Sequence, residues 1–188
     1  TAAVVDRITT LHASGALPDL EEITLEVWEL DEAFLPALRQ NMSACAALLR
    51  QAGIRANVQL NHGSYVEGAV RNLDPGLFGT AAAPQVTHAI LNPPYRKIAT
   101  RSRERTLLAS MGIEISNLYA AFVWLAVRQL VDGGELAAIT PRSFCNGPYF
   151  REFRRELLQK ANFSRVHVFD SRLEAFSRDD VLQENILF

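Results

Sequence analysis

Two hydrophobic periods alternate along these 188 residues, and that alternation constrains the fold more than any other feature. Residues 23–30, ITLEVWEL, alternate apolar and polar side chains through Ile23, Leu25 and Val27, the period of a half-buried strand. Residues 32–52 instead carry Phe34, Leu35, Leu38, Met42, Cys45, Leu48 and Leu49 on one helical stripe, closed by Gly53. The same reading gives a helix over 1–12, stopped at Ser14-Gly15, and a short strand at 57–60. A third strand at 86–91 is followed by an apolar helix over 116–130, ending before Asp132-Gly133-Gly134. A fourth strand at 135–140 is stopped by Pro141. A basic amphipathic helix (149–160), a fifth strand (165–169) and a sixth beginning at 185 complete the series. The Gly-, Pro- and Ala-rich stretch 68–84 reads as loop, and the polar, basic stretch 96–105 as mobile. Strands alternating with helices predict an α/β domain with a mainly parallel sheet. No repeat or linker divides the chain, so 1–188 is expected to be a single domain.

Composition narrows the classes further. The apolar runs, such as 118–127, are interrupted well short of the roughly 20 residues of a membrane span, and no signal peptide is visible. Nineteen basic against twenty-one acidic side chains give a net charge of −2. A free-standing nucleic-acid binder would show a basic excess, so any grip on DNA is expected from a local patch or another domain. Cys45 and Cys145 stand far apart, and the four histidines form no metal-ligand spacing. A reduced, cytoplasmic setting without structural zinc is expected.

The chemistry concentrates in residues 87–95, THAILNPPY, where an apolar strand runs into Asn92-Pro93-Pro94-Tyr95. Ligands of open α/β sheets bind at the carboxyl ends of strands. Pro93 and Pro94 fix φ and remove two backbone donors, so the turn presents carbonyl acceptors in a stiff arrangement. Asn92 adds a side-chain carbonyl. Two acceptors side by side suit an amino group with two N–H donors, and Tyr95 offers a flat face to an aromatic ring. The constellation fits a planar, amino-bearing group such as the edge of adenine or a carboxamide. The bland alternative is a rigid Pro-Pro turn with Tyr95 packed as its lid.

With these residues the sequence resembles the amino-methyltransferases that use S-adenosylmethionine, and most closely the DNA adenine-N6 methyltransferases of restriction–modification type. The resemblance implies a doubly wound, Rossmann-like methyltransferase sheet. It covers nearly the whole chain. LEVWELDEAF (25–34) matches the strand whose final acid holds the cofactor ribose, which makes that residue Glu29. The helix beginning Leu118-Tyr119-Ala120-Ala121-Phe122 and the strand DGGELAAITP (132–141) follow in the family's order. SRLEAFSRDDVLQENILF (171–188) resembles the hairpin in which an aromatic residue packs on a flipped adenine, and Phe176 stands at that place.

Two departures qualify the likeness. Where the family carries an acid for the cofactor's adenine amino group, this chain has Ser64, within Asn61-His62-Gly63-Ser64-Tyr65. His62 reads as a loop histidine, because this chemistry needs no imidazole. No glycine-rich GxG loop occurs anywhere, and Thr1–Val5 matches the helix that follows such a loop. The first strand and the cofactor loop are therefore expected to be missing from this chain, leaving it inactive alone. Arg96, Lys97, Arg101, Arg103 and Arg105 lie where they could touch phosphates beside an extruded base. The chief alternative for them is a solvated loop, and Arg151, Arg154, Arg155 and Lys160 read as the wet face of their helix.

The expectation is therefore a DNA adenine-N6 methyltransferase core whose S-adenosylmethionine and flipped adenine meet at Asn92, Pro93, Pro94 and Tyr95. Glu29 and Ser64 would hold the cofactor, and no metal is involved. Its partner is double-stranded DNA, reached through a target-recognition region not in this chain. The resemblance also implies a restriction subunit or fused nuclease and a restriction–modification or phage-defence setting. The alternatives are an RNA or protein-glutamine methyltransferase sharing NPPY, and a non-catalytic scaffold of a defence complex.

Overall fold

The computed structural model describes residues 1–74, 86–169 and 184–188. The chain forms two compact units, Thr1–Tyr65 and Val66–Phe188.

In the first unit, helix α1 (Ala2–Ala13) and helix α2 (Leu35–Gln51) lie against strands β1 (Glu22–Glu29) and β2 (Arg55–His62). Alternation in β1 sends Ile23, Leu25 and Val27 to one face, and Ala56 and Val58 of β2 join them. They pack on a buried cluster of Val5, Met42, Cys45, Leu49 and Ile54. The Cys45 thiol is thus a core group. The strands run parallel in unbroken register from Glu22↔Arg55 to Glu29↔His62, so both end level. A parallel pair needs a crossover, and α2 supplies it. Gly53 adopts φ +84° just beyond α2, where the Ile54 N–H reaches back to the Leu49 carbonyl at 3.0 Å. Only glycine takes this left-handed position without strain.

In the second unit, β3 (Val86–Leu91) pairs in parallel with β4 (Leu130–Pro141). Strand β6 (Asn185–Leu187) is antiparallel to both β4 and β5 (His167–Val168), giving the order β3-β4-β6-β5. The described strands thus form two sheets, a parallel pair β1-β2 in the first unit and a four-stranded sheet in the second that is parallel only between β3 and β4. Helix α5 (Leu118–Gln129) is apolar on nearly every side because it is buried against β3, β4 and helix α6 (Arg151–Lys160). Phe153 and Leu157 form the buried stripe of α6.

Three local readings are corrected. Residues 68–73, read as loop, belong to helix α3 (Tyr65–Leu73), in which Val66, Gly68, Ala69 and Val70 are buried. Small residues there permit close packing rather than marking a break. Strand β4 starts directly after α5, with Asp132-Gly133-Gly134 inside it. There β3 advances from Val86 to His88 while β4 advances from Leu130 to Glu135. Gly133 has φ +78°, and a Cβ on Gly134 would lie 3.0 Å from the Thr87 carbonyl oxygen. Finally, the basic stretch after Tyr95 is anchored. The Ile98 side chain is buried, its N–H donates to Ser116 O at 2.7 Å, and helix α4 (Arg103–Ser110) is capped by Ser102.

Candidate functional site

Strand ends organise the chemistry of both units. In the first, β1 terminates at Glu29. The Glu29 backbone carbonyl accepts the Gly63 N–H at 2.8 Å, which ties the end of β1 to the turn leaving β2. That turn carries Ser64, so the two residues expected at the cofactor stand at the same edge of the two-stranded sheet. Glu29 Oε1 accepts the Asp31 N–H at 2.8 Å, orienting the carboxylate. Asp31 in turn caps the short helical turn Glu32–Phe34 through the Ala33 N–H at 2.9 Å. A carboxylate fixed through one oxygen keeps lone pairs for hydroxyl donors. His62, paired with Glu29 at the end of β2, is exposed.

The opposite face of this sheet holds a polar cluster that sequence reading missed. Glu26 Oε1 accepts from Trp28 Nε1 at 2.8 Å and from Asn61 Nδ2 at 3.4 Å. The Trp28 ring stands edge-to-face with Tyr65, centroids 6.1 Å apart. Burial, together with the Glu26 carboxylate, pushes the Tyr65 hydroxyl above the ordinary tyrosine range. The signal was the alternation itself, because Glu26 and Trp28 occupy the polar phase of β1.

In the second unit β3 ends at Leu91, level with Ala138 of β4, and the chain turns through Asn92-Pro93-Pro94-Tyr95. Asn92 is exposed, Pro93 buried and Tyr95 half-buried. The Tyr95 hydroxyl donates to the Ile139 carbonyl at 3.1 Å, so the turn is fastened to the neighbouring strand. Its ring meets Tyr119 of α5 edge-to-face, centroids 6.3 Å apart. Tyr119 bonds Ser143 Oγ at 3.0 Å and touches Phe150, centroids 5.7 Å apart. Burial raises the Tyr95 hydroxyl above its ordinary value and pushes that of Tyr119 up to about 12. Both remain hydrogen-bond donors at neutral pH. Two donor-less prolines and a pinned tyrosine leave the Asn92 amide at the mouth of a stiff turn.

The basic residues sort differently from the sequence reading. Arg103 pairs with Glu67 at 3.4 Å, and Arg105 Nη1 donates to Ile115 O at 2.6 Å. Arg154 is not on a wet face. Its guanidinium donates to the carbonyls of Phe144, Asn146 and Gly147 at 2.7–2.9 Å, clamping the turn before α6. Phe176 lies outside the described residues. Among the described residues no cluster of His, Cys, Asp or Glu could hold a metal ion, and no helix is long and apolar enough to cross a membrane.

Residues 88–176 match the model of the Eco57I restriction-modification methylase family. The chain is 42% identical over all its 188 residues to the type II methyltransferase M.PstI of Providencia stuartii, covering 35% of that protein. It is 44% identical over 164 residues, 87% of its length, to the type II methyltransferase M.BsuBI of Bacillus subtilis, covering 32% of it. The chain thus spans about one third of the length of these relatives. A putative class I S-adenosylmethionine-dependent methyltransferase of Listeria monocytogenes superposes over the whole chain with TM-score 0.58. The chain covers 58% of that protein at 9% identity, which is a likeness of fold.

Proposed function

We propose that this chain, a relative of type II methyltransferases that carries the Eco57I restriction-modification methylase segment over 88–176, is the catalytic core of a DNA adenine-N6 methyltransferase. One observation carries the reading. An Asn-Pro-Pro-Tyr turn leaves the carboxyl end of a parallel strand and is fastened to the adjacent strand by Tyr95. In this reading 1–188 is one catalytic domain, and S-adenosylmethionine is the methyl donor. Double-stranded DNA is the substrate, within a cytoplasmic restriction–modification or phage-defence system.

The residues present fit the cofactor. Glu29, oriented by the Asp31 N–H, has acceptor capacity for the ribose hydroxyls. Ser64 offers a neutral hydroxyl for the adenine end. When bound, S-adenosylmethionine supplies an electrophilic methyl group. The protein's own work lies at the target. The Asn92 side-chain carbonyl and the Pro93 backbone carbonyl accept the two amino hydrogens of an adenine flipped from the duplex. Those bonds draw the nitrogen lone pair out of conjugation with the ring. Phe176 is the aromatic residue that the resemblance assigns to stack on the extruded base. Positioning and fixed dipoles carry the rate, and the nitrogen, once methylated, releases its surplus proton to solvent, so no titrating side chain is needed.

The test is methyl transfer to duplex DNA by the full-length protein, with the modified nucleoside identified after digestion. N6-methyladenine is expected, and Asn92→Ala should nearly abolish it while cofactor affinity holds. Methylcytosine as the product, transfer only to RNA or protein, or near-normal turnover by Asn92→Ala would overturn the reading.

A further inference from the structure

We infer that the open cavity between the segment leading into α5 and the first turn of α6 is a second DNA subsite, taking a nucleotide next to the modified base. The inference rests on the function proposed above. The cavity has a volume of about 760 Å³, in the range of sites that enclose molecules of nucleotide size. It is walled by Arg105, Glu114 and Ser116 on one side and by Tyr149, Phe150 and Arg151 on the other.

Both walls are coupled to the Asn-Pro-Pro-Tyr turn. Ser116 accepts the Ile98 N–H, and the Leu118 N–H donates to Arg96 O, the residue directly after Tyr95. On the other side Phe150 contacts Tyr119, whose ring contacts Tyr95. The cavity is therefore linked on one side to the segment that leaves the turn and on the other, through Phe150 and Tyr119, to Tyr95 itself.

Its chemistry suits a nucleotide better than a bare anion. Arg105 is held at the rim through one nitrogen on Ile115 O, leaving further N–H groups to donate. Arg151 forms no ion pair among the described residues, whereas Arg155 is engaged by Glu152 and Glu156 at 3.3 and 3.7 Å. Arg151 is thus the cation left for a phosphate. Tyr149 is 62% exposed, its ring steadied edge-to-face on Phe150 at 4.8 Å. It is placed to stack on a base. Glu114 would repel a free phosphate or an acidic peptide but can accept from a base amino group.

Steady-state methylation of a duplex by the full-length protein tests this. Tyr149→Ala should raise the KM for DNA roughly tenfold, the lower range of a lost base–aromatic stack. Tyr149→Phe, which keeps the ring, should match wild type. Arg151→Ala should lower the slope of log affinity against log salt by about 1, one phosphate contact. Calorimetric titration with S-adenosylmethionine alone should give wild-type affinity for each variant, which also verifies folding. A DNA KM within twofold of wild type for Tyr149→Ala, together with an unchanged salt slope for Arg151→Ala, would overturn the subsite while leaving the methyltransferase reading intact. A wild-type protein that does not methylate DNA at all overturns both, and this shows before any variant is made.

Discussion

The hydroxyl of Tyr95 donates to the backbone carbonyl of Ile139 at 3.1 Å, fastening the last residue of the Asn-Pro-Pro-Tyr turn to the strand beside it. A side chain expected to offer its flat face to an aromatic ring is therefore also a strut. Tyr95→Phe removes that bond and keeps the ring. A loss of about 0.5–1.5 kcal/mol is expected in urea unfolding, together with a larger fall in kcat than in cofactor affinity. Equal falls in both would show that the bond does not position Asn92.

Alkaline pH should weaken the fold through Tyr119. Its hydroxyl ionises at about 12 in the folded protein against 10.0 in the ordinary case, with burial as the main cause. A raised folded value means that its contribution is fully present below pH 10. It is lost as pH rises through the folded value of about 12. Urea midpoints measured between pH 9 and 12 should fall, and Tyr119→Phe should flatten that fall.

Arg154 should prove structural. Its guanidinium satisfies three carbonyls in the turn Phe144–Gly147, and lysine cannot reproduce the fork. Arg154→Lys should cost about 1–3 kcal/mol by chemical unfolding. Stability unchanged by the substitution would return Arg154 to the solvated face that its spacing suggested.

Glu29→Ala should raise the Kd for S-adenosylmethionine about tenfold or more, as expected for a lost hydrogen bond to a charged group. Ser64→Ala should matter less, because a neutral hydroxyl gives the weaker bond. Calorimetry on the full-length protein checks both, and a reversed order would move the ribose contact away from Glu29.

Phe176→Ala should weaken the extruded state of the target base by about 1–3 kcal/mol. Fluorescence of 2-aminopurine at the target position reports it. An unchanged signal would make Phe176 a packing residue only.

What the sequence determined by itself was the order of the elements, helices α3 and α4 excepted, and the Asn92-Pro93-Pro94-Tyr95 turn. The alternation at 23–27 and the long stripe of 32–52 are local signals, because burying one face forces apolar residues into register with the backbone. Asn92-Pro93-Pro94 was legible for the same reason, since proline sets its own dihedral whatever surrounds it. Gly53 was legible because the end of a helix demands a left-handed residue.

Tertiary structure decided the rest. Whether Gly68 breaks a helix or packs inside one depends on what lies against it, and no local pattern records that. Arg154 and Arg155 are neighbours of the same chemical type. Only the course of the Phe144–Gly147 turn makes one a clamp and leaves the other to the glutamates of its own helix. The link from Tyr95 to Ile139 joins residues 44 apart in sequence, and the walls of the cavity come from segments equally remote. Side-chain contacts across such distances are set by how helices and strands pack, which hydrophobic periodicity requires but does not specify.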